Sequence, residues 1–300
     1  MILLWGLQED APMRLVYEQL TRMHAPVFFL NHRDIDETHV SLEFEDQLCG
    51  TIRIYDYELP LADVSSCYFR THNLFDYAEH ESLGILDERV QPMVIAEDIL
   101  WGWAELTNAL VINKPSAMAS NDSKAYQASI IQETAFSIPE MLITTSPSSA
   151  KNFWKKHGEV IYKSNSSVRS IVRKLSANDE ERLRDIRSCP TMFQQYIPGT
   201  DYRVHVVNTE VYACRIDSVA DDYRYAESRI EAVALPHPIQ SSCITLASRL
   251  GLRIAGIDLR QHPNGTWYCF EVNPSPGFSF YEAQTGHPIA NAIARLLLNA

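Results

Sequence analysis

The sequence predicts an α/β fold that becomes α+β in its C-terminal part, and three observations lead there. Met1–Trp5 and Pro26–Leu30 read as short buried strands around a helical segment, Pro12–Met23, whose apolar residues Met13, Val16, Tyr17 and Leu20 recur at helical spacing behind Asp10 as an N-cap. Strand, helix, strand implies a parallel start. The last third instead carries strand after strand separated by short turns. Within it, Asn264–Gly265 lies between two apolar runs and marks a hairpin.

The remaining elements follow in order. Val40–Phe44, Thr51–Tyr55 and Cys67–Arg70 read as strands, Val90–Leu106 as a long helix, and Ala109–Asn113 as a buried strand ending at a Lys-Pro turn. A first lobe, residues 1–116, closes there. Ser120 or Asn121 caps a helix running to about Phe136, with Lys124 in its first turn. Met141–Thr144 is a strand, Pro147–His157 a helix, and Glu159–Lys163 a strand ending in lysine. The polar loop Ser164–Ser170 leads to Ile171–Leu175, and this central lobe spans 117–190. In the C-terminal lobe, 191–300, Met192–Ile197, Tyr202–Val207 and Val211–Ile216 are strands. Pro238–Leu250 is an amphipathic helix before the hairpin, and His287–Leu298 a closing helix.

The hairpin, GIDLRQHPNGTWYCFEVNPSPG over Gly256–Gly277, carries the chemistry. A two-residue turn at Asn264–Gly265 pairs Pro263 with Thr266, Arg260 with Cys269 and Asp258 with Glu271. Asn273 shares the face of Glu271, and Gly256 lies opposite Asn273, leaving open space there. A four-residue loop keeps the three polar groups together, whereas a three-residue loop turns Asp258 away. Carboxylates directly opposed on a ladder repel, so a positive group is expected between them. Asp258, Glu271 and Asn273 form a hard-oxygen set suited to Mg²⁺ that also holds phosphates. The plain alternative, a solvated acidic hairpin, fits poorly with the apolar positions Ile254, Ile257, Leu259, Trp267, Phe270 and Val272.

Composition narrows the function. At 46% hydrophobic and 21% charged the chain is ordinary globular material, and its net charge of −12 argues against nucleic acid or an anionic membrane as the main partner. Six scattered cysteines without a CxxC pair suggest reduced thiols and a cytoplasmic protein. The N-terminus lacks a basic leader, and no run reaches membrane-spanning length.

Other polar positions gain meaning beside the hairpin. Lys124 and Lys163, on separate elements, supply point charges of the kind a nucleotide triphosphate needs, though either alone reads as a surface lysine. Phe193–Ile197 (FQQYI) is an apolar strand broken by two glutamines; an edge strand there could read adenine through its backbone, with Tyr196 and Ile197 packed nearby. Asp201 and Arg203 alternate onto one side of their strand, either as a salt-bridged surface pair or as an acid and a phosphate-facing arginine. Arg224 is a second candidate clamp on a transferred phosphoryl group. No G-x-S-x-G elbow and no P-loop appears.

From about Val111 to Leu298 the order of these pieces resembles the ATP-grasp superfamily, nearest its RimK-like branch and the graspetide (microviridin-type) peptide ligases. The pattern G-x-D, then E-x-N-x-x-P-G, then T-G-x-P-I is present at Gly256, Glu271 and Thr285. The resemblance implies an ATP-grasp fold with a parallel α/β lobe and two α+β lobes enclosing the nucleotide. It implies Mg²⁺, with Mn²⁺ as a substitute, on Asp258, Glu271 and Asn273. It implies nucleotide contacts from Lys124, Lys163, Ser166, Ser167, Gln195, Tyr196, Ile197 and Asp201, with Arg203 as the basic partner of Asp201. Arg203 and Arg224 would act in catalysis. The chain departs from the pattern with Gln195 where relatives often carry Glu, and with a glycine-poor flap, SNSSVRS. The implied activity is an ADP-forming ligase that joins a peptide or amino-acid carboxylate to an amine or hydroxyl through an acyl phosphate. A small-molecule dipeptide ligase and a nucleotide-binding regulator without turnover are the alternatives. Paired N-terminal lobes would imply a homodimer.

Overall fold

The first strand, β1 (Ile2–Gly6), is buried at every residue. Asp10 then caps α1 (Ala11–Arg22), its carboxylate accepting from the Met13 amide at 3.1 Å, and β2 (Val27–Asn31) runs parallel to β1. The structure, a computed structural model, describes residues 1–44, 48–72, 87–88, 90–164, 173–218 and 228–300. An antiparallel meander follows: β3 (Thr38–Phe44), β4 (Leu48–Ile54) and β5 (Tyr57–Pro60). The short β5 was not among the expected strands. β6 (Ser66–Arg70), α2 (Gln91–Leu106) and β7 (Leu110–Ile112) complete a parallel sheet of order β2-β1-β6-β7. Trp5, Phe69 and Trp101 pack ring against ring in its core, each pair with centroids 5.3 Å apart.

The expected helix from Ser120 or Asn121 to Phe136 is shorter and starts later. A single turn α3 (Pro115–Met118) and a 3₁₀ turn lead to Ser123, the true cap of α4 (Lys124–Gln132). The helix stops at Gln132 because the chain is drawn into the sheet beyond it. The Ser137 amide donates to the Trp267 carbonyl at 3.0 Å, and the Ser137 carbonyl accepts from Cys269 at 2.9 Å.

β8 (Met141–Thr144), α5 (Pro147–His157), β9 (Val160–Ser164), β10 (Arg173–Lys174) and β11 (Thr191–Gln195) build a second sheet of order β10-β9-β11-β8. β11 therefore lies between β9 and β8 instead of at an edge, and residues 191–195 belong to this central sheet. The third sheet, order β14-β13-β12-β15-β16, is antiparallel throughout. It is made of β12 (Thr200–Val207), β13 (Glu210–Ser218), β14 (Ser228–Val233), β15 (Ile254–Gln261) and β16 (Trp267–Asn273), with α6 (His237–Arg249) between β14 and β15. One face of this sheet is apolar. Val204, Val206, Ile257, Leu259 and Val272 pack there with Cys243, Leu246 and Ala247 of α6 and Ile131 of α4. The opposite face holds the polar residues.

Two last helices, α7 (Ser279–Thr285) and α8 (Ile289–Leu298), return the chain to its start. Ile289, Ile293 and Leu297 share one core with Leu4, Met13, Val16 and Leu20 of the first lobe. Asn113, 2% exposed, fastens the first lobe to the hairpin. Its amide nitrogen donates to the carbonyls of Ile254 (2.8 Å) and Pro274 (2.6 Å), and its oxygen accepts from the amides of Arg253 (2.6 Å) and Ile254 (3.1 Å). Among the described residues no helix is long and apolar enough to cross a membrane.

Asn113→Ala would leave several of these buried backbone groups without partners. The expected outcome is a loss of about 3 kcal/mol in unfolding free energy, read from the urea midpoint at an unchanged slope.

Candidate metal and nucleotide site

The hairpin reaches the expected register by an unexpected route. The His262 amide donates to the Thr266 carbonyl at 2.9 Å and the Gly265 amide to the His262 carbonyl at 2.8 Å, so the loop is the three residues Pro263–Gly265. Gly265 takes a positive φ of 91° and Asn264 does not, which excludes a type I′ turn and matches a turn closed by a glycine bulge. The pairings of Pro263 with Thr266 and of Arg260 with Cys269 therefore fail; Arg260 faces Tyr268 and Leu259 faces Cys269. A three-residue loop alone would turn Asp258 to the other face. A β-bulge between Asp258 and Leu259, with Phe270 as the extra residue on β16, restores the parity. Asp258 then lies opposite Glu271 and Gly256 opposite Asn273.

The carboxylates are not left to repel one another. At about 5 Å and an effective dielectric near 20, two such charges would cost about 3 kcal/mol. Arg203 Nη1 lies 2.7 Å from Asp258 Oδ1, and Lys124 Nζ lies 2.7 Å from Glu271 Oε1. Burial works against the charge of Glu271, but Lys124, Lys163 and Arg203 outweigh it and hold the carboxyl below its usual range. These pairs engage one oxygen of each carboxylate. A carboxylate offers about four lone-pair directions over two oxygens, so both remain able to take a cation. Asn273 Oδ1 accepts from the Ser275 amide at 2.8 Å, which orients its side chain. Two carboxylates and an amide oxygen on one face suit Mg²⁺ better than a softer metal. Among the described residues no cluster of three His, Cys, Asp or Glu side chains could hold a metal.

Register brings in the arginines. Arg203 pairs with Asp258 across β12 and β15, and Asp201 with Arg260. Arg260 binds Asp201 with two nitrogens, at 2.6 and 2.8 Å, and donates to the Ile197 carbonyl at 2.8 Å. Asp201 and Arg203 thus each have a partner on β15. Gly256 does not face open space. A Cβ there would overlap Arg203 Nη2 and lie 2.8 Å from Arg203 Cζ and 2.6 Å from Pro276 Cβ.

Helix α4 delivers Lys124 because its next turn is bolted to the sheet. Gln127, 2% exposed, donates to the Val272 carbonyl at 2.7 Å and accepts from the Val272 amide at 2.8 Å, acting as a short strand beside β16. Lys163 approaches from the central sheet, on β9 opposite Met192. At the end of β11, the Gln195 amide donates to the Glu140 carbonyl (2.9 Å) and the Tyr196 amide to the Glu159 carbonyl (3.0 Å). Lys174 sits 4.0 Å above the Tyr196 ring and pairs with Glu159. The backbone here is less open than an edge strand would be. Ser166, Ser167 and Arg224 lie outside the described residues.

Gln127, Asn113 and Arg70 were not anticipated. Arg70, at the end of β6, binds Asp10 at 2.6 Å and donates to Ser275 Oγ (3.1 Å) and the Pro276 carbonyl (3.2 Å), pinning the turn that follows Asn273. The available signal was a polar residue closing or interrupting an apolar run; no spacing rule names its partner.

A family model described as the RimK-like ATP-grasp domain matches residues 119–297. The chain belongs to that family. The matched span of this RimK-like ATP-grasp chain contains Lys124, Lys163, Gln195, Asp201, Arg203, Asp258, Glu271 and Asn273. It is 33% identical over 109 residues to a probable alpha-L-glutamate ligase of Rhodopirellula baltica, covering 34% of this chain and 27% of that protein. A probable alpha-L-glutamate ligase of Aliivibrio salmonicida is 22% identical over 258 residues, 79% of this chain and 85% of that protein. The chain spans about a third of the length of the first curated relatives it matches. Among solved structures, the macrocyclase MdnC of Microcystis aeruginosa, bound with precursor peptide MdnA, matches with a TM-score of 0.85 at 20% identity over 100% of both chains. A Chryseobacterium gregarium RiPP-associated ATP-grasp ligase, in complex with ADP and a leader and core peptide, matches at 0.83 and 24% identity, over 99% of this chain and 96% of that one. The RimK-like chain shares the ATP-grasp fold of these structures along its length.

Glu271→Gln should destabilise the metal-free protein at neutral pH by about 1–2 kcal/mol, discounted because the side chain is 29% exposed. The native carboxyl titrates below its ordinary value of 4.5. Its stabilising charge is therefore present above that value and lost as pH falls through the lower native value. Urea unfolding from pH 7 to pH 3 should show the gap between native and variant closing only below about 4.5.

Proposed function

We propose that this chain is an ATP-dependent, ADP-forming ligase that activates a peptide or amino-acid carboxylate and joins it to an amine or a hydroxyl. The observation that carries this reading is the convergence of Lys124 and Lys163, from two different elements, on Glu271, which itself faces Asp258 across the hairpin. Such a cluster places cationic groups for phosphate oxygens beside hard-oxygen ligands for a divalent cation. Bound Mg²⁺, or Mn²⁺ in its place, would be held by Asp258, Glu271 and Asn273 and would neutralise charge on the phosphates. Lys124 and Lys163 would exchange carboxylate for phosphate as partners. Gln195, Tyr196 and Ile197 would flank the base, and Asp201 would hold Arg260 at that end of the cleft.

In the reaction, a substrate carboxylate oxygen attacks the γ-phosphorus and ADP leaves. The acceptor nitrogen or oxygen then attacks the acyl carbon, phosphate departs, and the acceptor loses a proton. Arg203, fixed on Asp258, would stabilise charge on the transferred phosphoryl group. Solved neighbours of the same fold carry precursor, leader or core peptides, which supports a peptide as substrate. The curated relatives named as glutamate ligases support an amino-acid substrate as the second reading. Six free cysteines fit a reducing, cytoplasmic setting.

The decisive assay supplies MgATP with a panel of peptides and amino acids and reads ADP together with the mass of the acceptor. One water should be lost per bond formed. Asp258→Asn should abolish turnover while the protein stays folded, and full activity would remove the metal assignment. Lys163→Met should raise the ATP requirement about tenfold. ATP binding with no ADP released across the whole panel would favour a regulator without turnover.

A homodimer is part of the proposal. Tyr55 and Tyr57 stand 62% and 69% exposed at the turn between β4 and β5, an exposed aromatic pair suited to a second copy. Light scattering should give twice the chain mass at micromolar concentration, and Tyr57→Glu should return the monomer mass.

A further inference from the structure

His205 occupies a position that its fold does not explain. It is fully buried on β12, two residues from Arg203 and on the same face, opposite Gly256. The nearby core residues on that face, Cys214, Ile216 and Tyr281, are largely apolar. Its Nδ1 has no hydrogen-bond partner among the described residues. An apolar side chain there would avoid the cost of a buried orphan polar group. The imidazole instead meets Arg203, whose Nε donates to His205 Nε2 at 3.5 Å.

That contact is one side of a frame around the guanidinium. Asp258 takes Nη1 at 2.7 Å. Gly256 forms the floor and has no room for a Cβ, because Arg203 and Pro276 fill the space. The Tyr281 ring lies 5.9 Å from Cζ and 5.1 Å from the His205 ring. An acceptor at Nε2 requires neutral imidazole with its proton on Nδ1. Burial, then Arg203 and His287, push the imidazole well below its usual range, so it stays neutral.

We propose that His205 is a positioning residue that sets the plane of the Arg203 guanidinium toward the transferred phosphoryl group. This rests on the reading of Arg203 as the phosphoryl-facing arginine. Asp258 holds Nη1 and His205 adds an anchor on Nε, so two points on the guanidinium fix the direction of the fork. Orientation of a bidentate donor governs how well it grips phosphate oxygens, so the consequence falls on the γ-phosphate and not on nucleotide binding as a whole.

The test compares the affinities of MgAMPPNP and MgADP by calorimetry for the native protein and for Arg203→Met, His205→Met and His205→Gln. Arg203→Met should lower the AMPPNP-to-ADP affinity ratio. His205→Met should lower it by about threefold to tenfold, the scale of one hydrogen bond, with ADP affinity and Tm at native values or Tm raised. His205→Gln, with a polar atom near Nε2, should recover most of the ratio. If Arg203→Met lowers the ratio and a folded His205→Met does not, His205 is a core residue only and the inference fails. If Arg203→Met leaves the ratio unchanged, the reading of Arg203 fails and the inference falls with it. A measurement on the native protein covers the case in which His205→Met does not fold. Long-range ¹H–¹⁵N correlations should show His205 protonated at Nδ1 and bare at Nε2; the opposite tautomer would overturn the proposal.

Discussion

Asp258 and Glu271 face each other across β15 and β16, and much of the surrounding structure serves to make that opposition tolerable. Each acid has a basic side chain from a different element on one of its oxygens: Arg203 from the neighbouring strand and Lys124 from the first turn of α4. Lys163 adds its field from the central sheet. Without these charges the ladder would carry an uncompensated repulsion in a half-buried place. With them it is a neutralised cluster, and the proposed function has these ion pairs give way to phosphate.

The cluster depends on a register that two irregularities produce together. The three-residue loop shifts every pairing of the hairpin by one, and the bulge at Phe270 shifts it back before Asp258 is reached. Either feature alone would put Asp258 and Glu271 on opposite faces of the sheet, one of them against α6 where Ile257, Leu259 and Val272 now pack. On its other side β15 keeps an unbroken register with β12, which sets Arg260 opposite Asp201 and Asp258 opposite Arg203.

Polar side chains that imitate backbone hold this geometry to the rest of the molecule. Asn113 ties the first lobe to the start of β15 and the end of β16. Gln127 pairs with Val272, between Glu271 and Asn273, so the helix bearing Lys124 keeps its place beside the acid it neutralises. Arg70 reaches from the end of β6 to the turn after Asn273, anchored by the same Asp10 that caps α1. Together these contacts couple the lobes at the residues proposed for chemistry.

The sequence by itself determined the parallel start, helices such as Pro147–His157 and the presence of a hairpin around Asn264–Gly265, because periodicity and turn residues are local properties of the chain, whereas Asp258, Glu271 and Asn273 share a face only through a bulge that the turn signal does not encode. It also carried the family resemblance, since motif spacing is linear. Tertiary structure alone decided the rest. β11 became an interior strand because β8 and β9 flank it, a pairing no local pattern encodes. α4 ended at Gln132 because β16 captured Ser137. Arg203 met Asp258, Arg260 met Asp201, and the gap at Gly256 was filled by a guanidinium, because the partners of a charged side chain depend on which strands lie side by side in space.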